Sequence, residues 1–153
     1  MAVFRFKLKP LHRLKIQLED QAKNRFGLAV AALNAEIAKL NAIYAAIQMT
    51  YGEFRRLSGG RFTAGKIKDY NNFIAAMKEK AAAQEAVVEE AKRRVELARG
   101  ELIAAMRERE MYDKLREKAY AKYIEDERRA EYSAIDELVS YRVSAPQIGE
   151  MNG

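Results

Sequence analysis

Apolar side chains recur every seven residues from Tyr70 to Tyr123, in two interleaved sets. One set is Tyr70, Met77, Gln84, Ala91, Ala98, Ala105, Tyr112 and Ala119. The other is Ile74, Ala81, Val88, Val95, Leu102, Arg109, Arg116 and Tyr123. Alternating steps of four and three align both sets on one side of a helix, the pattern of a coiled coil. An earlier stripe carries Leu11, Leu14, Leu18, Ala22, Phe26, Ala29, Leu33, Ile37, Leu40, Tyr44, Ile47, Tyr51 and Phe54. Its mean step is roughly 3.6, which predicts a nearly straight, weakly supercoiled helix. Ahead of both, Phe4-Arg5-Phe6-Lys7-Leu8-Lys9 alternates with period two, as an extended arm does.

Local punctuation bounds these elements. Lys9 precedes a proline and is biased away from helix, whereas Pro10 suits a first helical turn, so the first helix is expected from about Pro10 to Leu57. Ser58-Gly59-Gly60 ends it, because glycine readily takes the left-handed conformation of a helix stop. Thr63 is the expected N-cap of a second helix from about Ala64 to Arg142, with Pro146 as its latest end. The prediction is an all-α fold in which two long helices form an antiparallel coiled-coil hairpin, the second longer than the first. It divides into an extended basic arm over 1–9, a hairpin over 10–142 with its turn near 58–65, and a flexible tail over 143–153.

Folding symmetrically about Phe62 sets a register. Phe54 then faces Tyr70, Ile47 faces Met77, Ile37 faces Val87, Leu33 faces Ala91, Ala22 faces Leu102 and Leu18 faces Met106. Gly27 and Gly100 fall at nearly the same level, either as tolerated glycines or as a bend or close backbone approach. The first helix runs out opposite about Lys114, so Leu115 to Arg142 should project. The apolar stripe of that projection (Ala119, Tyr123, Ala130, Ile135, Leu138, Val139) asks for an external partner.

Composition agrees with helices and narrows the chemistry. The 153 residues suit one domain and are 49% apolar and 33% charged, with few glycines and two prolines. No cysteine is present, which removes disulfides and thiolate metal sites and fits a reducing compartment. The longest apolar run, Phe26 to Leu33, is too short to span a bilayer, and a soluble cytoplasmic protein is expected. The net charge of +6 is unevenly spread. Arg5, Lys7, Lys9, Arg13 and Lys15 lie in residues 1–15 with no acid, and Arg55, Arg56, Arg61, Lys66 and Lys68 flank the turn. The stretch from Ile124 onward is acidic. Basic clusters of this kind hold phosphates or dock on acidic protein surfaces.

Catalytic chemistry finds no support. His12 is the only histidine and reads as a solvated residue at a helix start; no paired carboxylates or nucleophile elbow accompany it. Gly59-Gly60 is a turn, since no strand precedes it and no Gly-Lys-Ser/Thr follows. No enzyme activity, cofactor or metal is therefore expected. Arg109 and Arg116 occupy seam positions late in the repeat, either because Met106, Met111 and Leu115 take over the contact face or because the arginines meet an acidic partner. Phe73 lies one position off the seam beside the basic turn, as a core residue or a binding anchor.

Nearly the whole chain resembles the FliJ family of the bacterial flagellar type III export apparatus. The resemblance lies in the arm Phe4-Arg5-Phe6-Lys7-Leu8 and in the post-turn segment Ile67-Lys68-Asp69-Tyr70-Asn71-Asn72-Phe73-Ile74. It continues in Lys114-Leu115-Arg116-Glu117-Lys118, Tyr123 and Ile135-Asp136-Glu137-Leu138. The resemblance implies a non-enzymatic stalk and general chaperone component that couples ATP hydrolysis to protein export, needed for flagellum assembly and motility. Its implied partners are the hexameric export ATPase, the export-gate membrane protein and export chaperones, with peripheral membrane association through them. The implied ATPase contact is Arg13, Lys15, Leu18, Tyr123, Ile135, Asp136 and Leu138, and the implied gate contact is Tyr51, Phe73 and Met77. This chain departs from the family in its alanine-rich seam.

Two other functions fit the pattern less well. A central stalk subunit of a rotary ATPase usually carries elements beyond a hairpin, and a coiled coil that binds nucleic acid through its basic turn would need a phosphate track. No specific nucleic-acid partner is expected.

Overall fold

A computed structural model describes residues 3–57, 60 and 63–151, with side chains described as far as Ser144. Helix α1 spans Lys9–Leu57 and helix α2 spans Ala64–Met151, and no other regular element occurs among the described residues. The α1 start is closed by the arm, as Lys9 N–H donates to the Phe6 carbonyl at 3.1 Å and His12 N–H to the Leu8 carbonyl at 2.8 Å. Thr63 caps α2 as its sequence position requires: its hydroxyl accepts from Lys66 N–H at 3.3 Å and its carbonyl from Ile67 N–H at 3.2 Å.

Two boundary expectations change. Helix α2 runs past Pro146 to Met151, because a proline forfeits one backbone bond and bends a helix without necessarily stopping it. The flexible tail expected over 143–153 is thus helical in backbone as far as Met151. At the other boundary Gly60 donates its N–H to Leu57 O at 3.0 Å, and no described glycine has a positive φ. Gly60 is therefore not a left-handed stop; Ser58 and Gly59, the rest of the expected stop, lie outside the described residues.

The chain forms two compact units, residues 18–106 and residues 1–17 with 107–153. In the first, the two helices run antiparallel along a seam of small and branched residues. Ile43, Ile47, Ile74 and Ala81 form its buried cluster, with Leu40, Tyr51, Tyr70 and Met77 packed against it. Val88, Ala91, Val95 and Ala98 continue the buried face of α2 and Ala22 that of α1. Every α2 position of the seven-residue pattern within this unit is buried or half-buried. The expected pairing of Phe54 with Tyr70 is a ring stack at 4.1 Å.

The seam of α1 differs from its apolar reading. Glu19, Ala22, Phe26, Ala29, Leu33, Glu36, Leu40, Ile43, Ile47, Thr50 and Phe54 step strictly by three and four along its inward side, with Val30, Ile37, Ala46 and Tyr51 half-buried beside them. The repeat is that of a coiled coil, period 3.5, not the looser 3.6. Leu18 and Tyr44 fall beside it, 37% and 40% exposed, as does Val87 on α2, 45% exposed. An apolar-first reading stepped onto Leu18 because the true seam position is a carboxylate, Glu19, buried to 4% and held by Lys23 at 3.0 Å. A second polar seam pair sits in the middle of the unit. Gln84 Nε2 donates to the Glu36 carbonyl at 2.9 Å and to its carboxylate at 2.6 Å, and these bonds hold the Glu36 carboxyl below the usual range. Polar seam residues of this kind fix register at some cost in stability.

Gly27 and Gly100 serve no close approach, since a Cβ at either would meet nothing within 4 Å. Gly27→Ala and Gly100→Ala are each expected to stabilise the protein by about 0.5–1 kcal/mol, read from the urea midpoint. A loss of stability would mean that these helices bend there.

An 18-residue window of α1 has a mean hydropathy of 1.3, enough by length and composition to cross a membrane. Contiguous runs understate it, because the window admits isolated charges. Helix α1 spends apolar side chains of its own, Ile43 and Ile47, on the cluster with α2.

Candidate functional site

The second unit brings together most of the chain's unusual side chains. The arm folds along α2 with its alternation intact: Phe4, Phe6 and Leu8 turn inward while Arg5, Lys7 and Lys9 stay exposed. Phe4 meets Tyr120 edge-on at 5.2 Å and Tyr123 at 5.4 Å, and the Arg116 guanidinium lies over the Phe4 ring at 5.8 Å. Phe6 meets the His12 ring edge-on at 6.0 Å, and His12 stacks on Tyr112 at 6.5 Å.

Charged side chains close the same clasp. His12 Nε2 donates to Asp113 Oδ1 at 2.6 Å, and Arg109 Nη1 donates to Asp113 Oδ2 at 2.5 Å. Lys15 Nζ donates to Glu108 Oε2 at 2.7 Å and lies 6.0 Å from the Tyr112 ring centre. The bond to Glu108 raises the Lys15 pKa above its ordinary value. The bond from His12, with that from Arg109, holds the Asp113 carboxyl below the usual range. A carboxyl lowered on folding contributes stability above its unfolded value and loses it as pH falls through the folded one. The clasp should therefore be intact above about pH 4 and weaken below it. Asp113→Asn should show a smaller drop in melting temperature than the parent protein between about pH 5 and pH 2; equal slopes would contradict the pairing.

These contacts revise several expectations. His12 is not solvated: its side chain is 14% exposed and paired. The 3.5 repeat of α1, carried to its start, makes His12 and Lys15 the inward residues and leaves Leu11 and Leu14 43% and 45% exposed. The projection does not begin at Leu115, because the arm meets α2 as far as Tyr123, and a groove of about 650 Å³ between them is lined by Val3, Leu8, Leu115, Ala119 and Tyr123. From Arg128 to Ser144 every side chain is exposed. Arg109 and Arg116, left open by the sequence, have internal contacts on Asp113 and Phe4.

Of the residues expected to meet an ATPase, Arg13, Ile135, Asp136 and Leu138 are exposed, Ile135 to 54% and Leu138 to 63%. Lys15 and Tyr123 are half-buried in the clasp, and Leu18 lies in the other unit. Of those expected to meet the gate, Phe73 is 47% exposed, whereas Tyr51 and Met77 pack against the buried cluster. The sequence reading missed Phe4, His12, Glu108 and Asp113 as one constellation. The signal was present: carrying the symmetric register past Pro10 places Phe4 opposite Tyr120. Among the described residues no group of His, Asp and Glu side chains could hold a metal ion.

Two long antiparallel helices, a polar-pinned seam and an arm clasped to the longer helix define a coiled-coil hairpin. The chain belongs to the flagellar FliJ protein family, whose family model matches residues 4–147. That family is one of flagellar export components and is not a known enzyme family. Neither the curated proteins nor the solved structures contain a match to this chain.

Proposed function

We propose that this protein is a non-enzymatic stalk and general chaperone component of the flagellar export apparatus. In this reading it contacts the export ATPase ring with the unit that holds both its helix α1 start and its α2 end. The carrying observation is the α2 stretch from Arg128 to Ser144, apolar along one side at Tyr132, Ile135, Leu138, Val139 and Val143, each at least 54% exposed. An amphipathic helix face of that length, left uncovered by its own chain, suits a groove on a partner. An asymmetric helix inside a ring touches each subunit differently and so biases which site hydrolyses ATP. Phe73, exposed beside the turn, is the anchor for the export gate, with Tyr51 and Met77 supporting it from the seam. Export chaperones and peripheral membrane association follow through these partners.

Mixing the purified protein with its cognate export ATPase should raise ATP hydrolysis and shift the ATPase toward rings in gel filtration. No change in either quantity would overturn the reading.

A further inference from the structure

Beside the clasp, the arm, the start of α1 and helix α2 enclose a recess of about 520 Å³. Its rim carries Arg5, Lys9, Arg13 and Arg116, and its floor includes Phe4 and Phe6. No carboxylate lines it, and Asp113, bonded to His12, is also engaged by Arg109. Among the described residues, none of the four rim cations makes an ion pair. Elsewhere on this chain Lys15, Lys23, Arg25, Lys39 and Lys92 each meet a carboxylate, whereas these four cations share one recess with no carboxylate in its lining.

Placement makes the cluster more unusual. Helix α1 has no acid in its first turn, and Lys9 and Arg13 stand at its start. A helix N-terminus carries partial positive charge, so basic side chains there oppose the helix dipole. Four like charges around one small recess add mutual repulsion. A bound anion would reverse both penalties, and the apolar floor limits competition from water.

We propose that this recess is an anion site for a compact, multiply charged phosphate group. Three guanidinium groups, those of Arg5, Arg13 and Arg116, line it, and arginine forks match phosphate oxygens in pairs. The phosphate comes either from a free phosphorylated solute or from an anionic lipid headgroup. The site does not depend on the ring contact proposed above.

Titrating the full-length protein with inorganic pyrophosphate at low salt, by calorimetry, tests the site. Saturable binding that weakens as salt is added is expected. Arg13→Gln, an exposed change that leaves Phe4 and His12 in place, should weaken it by roughly tenfold. Circular dichroism should show unchanged helicity. Replacing Arg56 and Lys68 by Gln removes two cations elsewhere and should shift affinity by less than about twofold. Flotation on phosphatidylglycerol but not phosphatidylcholine vesicles, reversed by pyrophosphate, would identify the lipid source. Pyrophosphate binding without flotation would identify the soluble one. Absence of saturable binding, equal losses in the distant control, or binding of a glutamate-rich peptide but not pyrophosphate would overturn the proposal.

Discussion

Ending the chain after Glu127 is expected to abolish stimulation of the export ATPase while leaving the rest of the fold nearly unchanged. The residues removed contribute little internal packing: side chains from Arg128 to Ser144 are all exposed. Their side-chain contacts are local, Arg129 with Glu125 at 3.4 Å and Arg128 over Tyr132 at 5.9 Å. Exposed ion pairs of this sort are worth about 0–1 kcal/mol, so melting should shift by only a few degrees. Binding should suffer far more. The lost face holds several large apolar side chains, and interface anchors commonly cost about 2 kcal/mol or more each when removed. The affinity for the ATPase should fall by at least about a hundredfold. A truncated protein that still stimulates hydrolysis would move the contact to the clasp itself. Cutting at Leu115 would be the wrong experiment, since it would also strip the aromatic contacts that hold Phe4 to Tyr120 and Tyr123.

The largest loss of stability is expected at the buried cluster of the other unit. Ile47 and Ile74 are each 7% exposed and belong to one buried cluster with Ile43 and Ala81. Truncating either to alanine removes apolar contact and leaves a cavity that two long helices cannot easily close, a cost of about 2–5 kcal/mol. The alanine-lined stretch around Ala91 and Ala98 offers less to replace it, because its side chains bury little area apiece. Urea unfolding followed at the helical signal measures the effect. A loss below about 1 kcal/mol would show that the cluster is looser than its burial indicates. Introducing leucine at Ala91 acts in the opposite sense and should destabilise by about 1–3 kcal/mol through overpacking.

The fold was legible where apolar spacing and packing coincide. On α2 every position that the seven-residue pattern named lies inward except Arg116, which is exposed. Thr63 announced its cap, and the symmetric register brought Phe54 to Tyr70. Legibility failed where the seam turns polar. A reading that follows apolar residues slides from Phe26 through Ala22 to Leu18, Leu14 and Leu11, whereas the backbone repeat delivers Glu19, Lys15 and His12 inward. Each of these polar residues is acceptable inside because a counter-charge waits for it: Lys23, Glu108 and Asp113. Those counter-charges lie far away in sequence or on the same helix, and hydropathy carries no record of them. In the arm, period two states which side faces inward and not what it meets.

The candidate contacts divide in the same way. Residues chosen for exposure on an unpartnered face, Ile135 and Leu138, stand free in the structure. Tyr51, Met77 and Lys15 are engaged within their own units, as is Tyr123 of the same stripe as Ile135 and Leu138, which the arm meets through Phe4. The second group supports the surface more than it forms it, which leaves Phe73 and the Arg128–Ser144 face as the sharper targets.

Site-specific photo-crosslinking within the assembled export apparatus tests the central claim most directly. A photoreactive residue replacing Leu138 is predicted to yield an adduct with the export ATPase, and one replacing Phe73 an adduct with the gate protein. ATPase adducts from position 73 with none from position 138 would contradict the account.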